Sequence, residues 1–310
     1  MSVPRIGVVA VGSNSVRMLT ANLDAALSQP VRGRVETALF LSMDEKKRFS
    51  EEAMERVAQA VASLCRQARA AGAQQLRMIG TSAMRDAVNR NELDFYIAAT
   101  SPALLNRIIS GEEEAQLSFL GATCVPPRPG VLGMIDIGGG STEVATGTAD
   151  EGLRFSRSLQ LGASRLLMQQ RIDTPRDLAA ARHMVRAMLK SNLPALPEPA
   201  QEWTLVGGTG TTLAGMVEGL TYHDTLPEGI VLTLETVSEW LTRLADMTAS
   251  QRSALPGMPP TRVHILPTGL AILEGVMEHV SIPQLRVSQR NNLDGYLYRL
   301  YKNPEEDGDG

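Results

Sequence analysis

One pattern occurs twice in this chain. Ala10-Val11-Gly12-Ser13-Asn14-Ser15-Val16-Arg17-Met18 and Asp136-Ile137-Gly138-Gly139-Gly140-Ser141-Thr142-Glu143-Val144 each run from an apolar strand into a second apolar strand. Between the strands lies a turn of small residues with Gly first and Ser fourth. The strands read as buried runs, and the turns are too poor in side chains to pack. A strand–turn–strand unit that opens both halves of a chain predicts two related domains facing each other across a cleft.

The 310 residues suit two domains of ordinary size. With 43% hydrophobic and 21% charged residues, a folded globular protein is expected. A net charge of -4 gives no evidence for a nucleic-acid or membrane partner, but leaves room for a small polyanionic ligand, which needs only a few local donors. Cys65 and Cys124 are too few for a disulfide framework and read as reduced core or surface residues. His183, His223, His264 and His279 have no metal-site spacing, so a His-built zinc site is not expected. The apolar run Ile6 to Val11 is too short to span a membrane and lacks a cleavage pattern, which predicts a cytoplasmic protein. The tail Pro304 to Gly310 reads as frayed.

Strands are expected within Ile6–Ala21, at Leu76–Ile79 and at Arg107–Ile109, with helices over Ser50–Ala71 and Asn91–Ala99. The long helix carries Met54, Val57, Ala58, Val61, Leu64, Cys65 and Ala68 on one face. Pro126-Pro127-Arg128-Pro129-Gly130 reads as a linker. Beyond it come strands at Val131–Ile137, Thr142–Thr146, Leu153–Leu159 and Trp203–Val206, and helices over Thr174–Lys190 and Leu234–Met247. The alternation is that of an α/β layer structure. Domains are expected over 1–124 and 125–294, with a C-terminal helix over 295–310 packing on the first.

Gly138, Gly139 and Gly140 let the backbone turn tightly and approach a ligand closely. Their N–H groups, with the Ser141 and Thr142 hydroxyls, would make an anion nest; a plain hairpin turn is the alternative. Asp136, at the end of an apolar strand just before that turn, must be solvated by a cleft or hold a cation, for which Mg²⁺ is the natural candidate. Glu143 on the returning strand is either a second such carboxylate or a solvated strand residue. If Ser110 is an N-cap, Glu113 at N3 closes a capping box and Glu112 complements the helix dipole. Glu114 lies one residue beyond the box. It is either a solvated helix glutamate or a general base. Gly80-Thr81-Ser82-Ala83-Met84-Arg85-Asp86 leaves a strand for a helix, and Arg85 could bind phosphate. Gly207-Gly208-Thr209-Gly210 is the equivalent strand-end feature of the second half.

Taken together, these segments resemble the exopolyphosphatase/guanosine-pentaphosphate phosphohydrolase (Ppx/GppA) family. The resemblance rests on Gly12 to Arg17, Thr81 to Asn89, Ile109 to Ala115, Asp136 to Glu143, Leu161-Gly162-Ala163 and Gly207-Gly208-Thr209, in that order along nearly the whole chain. It implies an actin-like (ASKHA, ribonuclease H-like) α/β fold with the site in the interdomain cleft. It also implies Mg²⁺-assisted hydrolysis of a terminal phosphoanhydride, in inorganic polyphosphate or guanosine pentaphosphate. Under it Glu114 activates water, Asp136 and Glu143 are metal-linked, and Gly12, Ser13, Asn14 and Ser15 form one phosphate loop with Gly138 to Ser141 as the other. Arg85, Thr142, Gly207, Gly208 and Thr209 complete the expected phosphate contacts. The chain departs from the family pattern at Ala10, where the family carries Asp, and at Ala38, where it carries Arg. It departs again at Arg262-Val263-His264, for Arg-Ala-Asp, and at Leu293-Asp294-Gly295, for Arg-Glu-Gly. An active phosphatase, a weakened polyphosphate- or alarmone-binding sensor and a sugar-kinase-like enzyme are the competing readings, and a homodimer stays open.

Overall fold

A computed structural model gives the fold and describes residues 3–101, 104–222 and 224–303; the readings made for His223 and for 304–310 lie outside them. The chain divides into two compact units, one reaching Pro127 and resuming at Arg290, the other Arg128–Gln289.

The first unit begins with β1 (Arg5–Val11), β2 (Ser15–Asn22) and β3 (Val31–Glu36), an antiparallel meander. The helix α1 (Glu51–Ala70) then leads to β4 (Gln75–Gly80), followed by α2 (Ser82–Asp86), α3 (Arg90–Thr100), β5 (Leu105–Ile108) and α4 (Gly111–Thr123). β4 pairs parallel to β1 and β5 parallel to β4, giving the order β3-β2-β1-β4-β5. α1 forms where its stripe was expected. Ser50 caps it by accepting from the Ala53 amide, Glu51 and Glu52 stand in the first turn and Arg69 in the last, and Gly72 at φ +87° lets the chain leave. Its Met54, Val57, Val61 and Leu64 are buried in a core with Val9, Val11, Val16 and Met18, each worth about 1.5–3 kcal/mol of transfer free energy.

The second unit repeats the plan. β6 (Leu132–Ile137), β7 (Thr142–Thr148) and β8 (Gly152–Leu159) form the meander. Then come α5 (Ala163–Gln169), α6 (Pro175–Asn192), β9 (Glu202–Val206), α7 (Gly208–Val217), β10 (Val231–Thr233), α8 (Leu234–Ala245), α9 (Ala249–Ser253), α10 (Ile265–Val280) and β11 (Gln284–Val287). β9 and β11 extend the sheet in parallel from β6, and β10 adds an antiparallel edge, for the order β10-β11-β9-β6-β7-β8. Two copies of one α/β arrangement agree with the expected actin-like class. The last helix, α11 (Asn292–Lys302), belongs to the first unit and packs on α4.

The helix over 265–280 is not among those expected from the residue pattern. α10 is apolar all round, so it has no stripe to betray its period, and it is buried accordingly. Its one buried acid, Glu274, is held by the Arg182 guanidinium in two hydrogen bonds of 2.7 Å and by Ser238. Among the described residues no helix is long and apolar enough to cross a membrane.

Candidate active site

The repeated turns have the same geometry. In the first unit β1 and β2 pair as far as Val11 and Val16, and the Gly12 amide donates to the Ser15 carbonyl at 3.0 Å. In the second, β6 and β7 pair as far as Ile137 and Thr142, and the Gly138 amide donates to the Ser141 carbonyl at 3.0 Å. Each loop is also pinned from behind by the segment that follows the third strand. Thr37 and Ala38 donate to the Asn14 carbonyl and Phe40 to that of Ser13, at 2.8–2.9 Å. Ala163 donates to the Gly138 carbonyl and both Ser164 and Arg165 to that of Gly139, at 2.8–2.9 Å, while Arg165 Nε holds the Gly140 carbonyl at 2.7 Å. Gly162 allows this approach, since a Cβ there would stand 2.4 Å from the Gly139 oxygen. With the carbonyls so occupied, the Gly139 and Gly140 amides have no acceptor among the described residues, which is the polarity an anion nest needs. Thr142 does not add a donor. Its hydroxyl proton goes to the Leu161 carbonyl.

In the first unit three parallel strands end side by side. Thr81 N–H extends the ladder to the Val11 carbonyl and Ile109 N–H to that of Gly80. The loop at 12–15, the Thr81–Arg85 turn and the start of α4 therefore share the carboxyl edge of one sheet, where open α/β sheets bind ligands. There Arg85 Nη1 donates to Glu114 Oε2 at 2.8 Å and to the Ile109 carbonyl at 3.0 Å. Glu114 is 7% exposed. Among the described residues Arg85 Nη2 and the Ser82 hydroxyl are buried without a hydrogen-bond partner. Such groups cost about 1–3 kcal/mol each unless something supplies the missing contact.

The capping box expected at Ser110 is only half formed. Ser110 Oγ accepts from the Glu113 amide at 3.1 Å, but the Glu113 carboxylate turns to Arg107 at 3.0 Å and to Arg299 of α11 at 2.8 Å. Two guanidinium donors are stronger partners for a carboxylate than one neutral amide.

In the second unit Asp136 and Glu143 are direct cross-strand partners, 6% and 1% exposed. Ser158 donates to Glu143 Oε1 at 2.7 Å. Among the described residues no three His, Cys, Asp or Glu side chains group as a metal cage. Two adjacent buried carboxylates fit instead a hard cation that completes its shell with water and phosphate oxygen. Gly207, at φ +89° and ψ 173°, follows β9 directly; a Cβ there would stand 2.8 Å from Asp136 Oδ1. At Gly208 a Cβ would stand 1.9 Å from Arg262 Nη2, so that guanidinium fills the space a side chain there would need. Thr209, 1% exposed, packs against Gly269.

The predicted residues thus fall into two sets. Gly12 to Ser15, Arg85 and Glu114 lie at the sheet edge of the first unit; Asp136, Glu143, Gly138 to Thr142 and Gly207 to Thr209 lie at that of the second. The Ser82 hydroxyl belongs to the turn expected to line the site, whereas Arg165 and Arg262 carry no local signal of such a role. Arg262 sits 54 positions beyond Gly208 (262 minus 208), and only the fold brings them together. His264, two residues on, accepts from Arg171 through Nδ1 at 3.1 Å.

A profile of the Ppx/GppA phosphatase family matches residues 24–303. Exopolyphosphatase 2 of Mycobacterium tuberculosis is 32% identical, over 97% of this chain and 99% of that one. The guanosine-5'-triphosphate,3'-diphosphate pyrophosphatase of Aeromonas salmonicida is 28% identical over 97% of this chain, but only 60% of that one. The crystal structure of an exopolyphosphatase-like protein superimposes with a TM-score of 0.88 at 27% identity, covering 96% of this chain and 97% of the other.

Proposed function

The chain belongs to the Ppx/GppA phosphatase family, and we propose that it hydrolyses the terminal phosphoanhydride of inorganic polyphosphate, with Glu114 as the base that activates water. The observation that carries the reading is the largely shielded Arg85–Glu114 pair at a parallel-strand edge, with the second nitrogen of Arg85 buried without an acceptor among the described residues. A guanidinium that donates one nitrogen to Glu114 aims the carboxylate, and offers the other to a phosphate oxygen. Water loses its proton to Glu114 as its oxygen bonds the terminal phosphorus. The bridging P–O bond breaks, and orthophosphate leaves with a chain one phosphate shorter. In the first unit the Gly12–Ser15 loop and the Ser82 hydroxyl would hold phosphate oxygens, since positioning and charge neutralisation supply most of the rate in phosphoryl transfer; in the second unit the Gly139 and Gly140 amides and Arg262 are donors of the same kind. Asp136 and Glu143 would hold Mg²⁺, which when bound neutralises charge on the phosphate oxygens.

Polyphosphate is favoured over guanosine pentaphosphate because this chain spans nearly all of an exopolyphosphatase relative and little more than half of a guanosine-pentaphosphate one. A second reading, a polyphosphate-binding sensor of low activity, is favoured by Ala10, which leaves the first loop without the acid its counterpart carries. Orthophosphate release from polyphosphate in Mg²⁺, by wild type and Glu114→Gln, separates the two. The variant should lose about 10²-fold or more with polyphosphate binding retained. Activity within about threefold of wild type removes Glu114 from the chemistry. A wild type that binds polyphosphate but releases no phosphate leaves the sensor.

A further inference from the structure

Glu113 and Glu114 are chain neighbours in the first turn of α4, yet they are fixed to different parts of the first unit. Glu114 is held by Arg85, next to α2 and the end of β4. Both oxygens of Glu113 are used in the other direction: Oε2 takes Arg107 from β5 at 3.0 Å, and Oε1 takes Arg299 from α11 at 2.8 Å. The Glu113–Arg299 pair is largely shielded, with the two side chains 14% and 18% exposed, and the Arg299 guanidinium lies 5.4 Å from the centre of the Tyr296 ring. A second contact fixes the same two helices further along. A Cβ at Gly295 would stand 1.8 Å from the Leu117 carbonyl, and one at Gly121 would stand 2.1 Å from the Asn291 carbonyl, so the backbones of α4 and α11 touch. The N-terminus of α11 is in turn tied to the sheet by the two hydrogen bonds of Arg32 to Asp294.

We propose that Glu113 is a positioning residue for the phosphatase reaction. With Arg107 and Arg299 it locks the first turn of α4 against rotation and sliding, and so fixes where the Glu114 carboxylate meets the attacking water. The C-terminal helix α11 thereby becomes part of the catalytic apparatus. This rests on the reading of Glu114 as the base. The close glycine contact at Gly121 and Gly295 holds the axis of α4 toward its far end. The Glu113 clamp acts at the other end, the one that carries Glu114, from the side opposite to Arg85. A reacting group displaced by about 1 Å can lose about 10²-fold in rate, so a clamp that removes part of that freedom is worth about tenfold.

The test measures kcat and KM for polyphosphate in Glu113→Gln, Arg299→Met, the double variant, Arg299→Lys and Glu114→Gln, each with a thermal melt. Glu113→Gln and Arg299→Met should each lower kcat about tenfold with KM within twofold. The double variant should be no worse than either single one, since both break one clamp. Arg299→Lys, which keeps the charge, should recover most of kcat, and it is the variant to read where Glu113→Gln does not fold. A kcat for Glu113→Gln and Arg299→Met equal to wild type, with Glu114→Gln inactive, overturns the clamp and leaves the base in place. An active Glu114→Gln overturns the base and the clamp together. Multiplying losses in the double variant, or a rise in KM that matches the fall in kcat, mark an ordinary structural salt bridge and overturn the positioning role.

Discussion

Gly207→Ala is the sharpest test of the geometry around Asp136. The residue sits at φ +89° and ψ 173°, a region that L residues other than glycine enter only under strain of about 1–3 kcal/mol. The added Cβ would also stand 2.8 Å from Asp136 Oδ1 and 3.1 Å from the Ile137 carbonyl. The backbone of β6 cannot yield easily between β7 and β9, so the carboxylate must move. At about 2–4 °C per kcal/mol for a unit of this size, the melting temperature should fall by roughly 5 °C. If Asp136 helps to hold Mg²⁺, the upward shift of the melt on adding Mg²⁺ should shrink in the variant, because ligand binding to the folded state stabilises by mass action. Phosphate release titrated against Mg²⁺ should show a higher half-saturation point. Gly215→Ala, inside the helix that follows Gly207, is the control. Its nearest neighbour outside the helix is Leu226 at 4.0 Å, so alanine should be neutral or stabilising by up to about 1 kcal/mol. A Gly207→Ala protein with the melting temperature and Mg²⁺ dependence of wild type would refute both the strain and the placement of Asp136.

Two further outcomes follow from the same structure. Ala10→Asp puts a carboxylate at a fully buried strand position directly across from Arg17, so its cost should stay under about 2 kcal/mol in a melt with EDTA; a loss of the about 3–5 kcal/mol expected of an unpaired buried charge would mean that Arg17 does not reach it. Burial pushes the Cys65 thiol up despite the Ser101 hydrogen bond and the nearby Arg69 and Arg66, so at pH 8 the native protein should take up iodoacetamide at least about tenfold more slowly than free cysteine and gain full reactivity in urea; a rate equal to that of free cysteine would contradict the burial.

What could be read from the chain was what the chain holds locally. The two glycine–serine turns were legible because a tight turn dictates its own residues, and their duplication carried the strand pairing with it, down to Asp136 facing Glu143. The stripe of α1 was legible because one face is polar. β3 was not, because in Val-Arg-Gly-Arg-Val-Glu the face toward the core is a glycine and a half-buried valine, too little apolar surface to pattern a strand. Glu113 was misread for a different reason. Capping is a rule about neighbours three residues apart, whereas its actual partner Arg299 lies 186 residues away. Arg262 escaped in the same way: nothing near it in sequence says that a glycine in another element has been left bare for its guanidinium.

A scaffold built twice on one plan need not carry the same charges twice. At one cross-strand address the second unit has Asp136 opposite Glu143, and the first has Ala10 opposite Arg17. Arg17 is engaged there with Asn292 of α11 at 3.2 Å. The loop beyond that address is nonetheless closed in both units by the same amide-to-carbonyl bond, and pinned in both by amides of the segment after the third strand. Loop shape therefore depends on backbone contacts that no side-chain substitution at position 10 removes. An acid can be lost from one copy while the turn that follows it keeps its form. Counting missing carboxylates against a family pattern then says little about whether the backbone can still receive an anion.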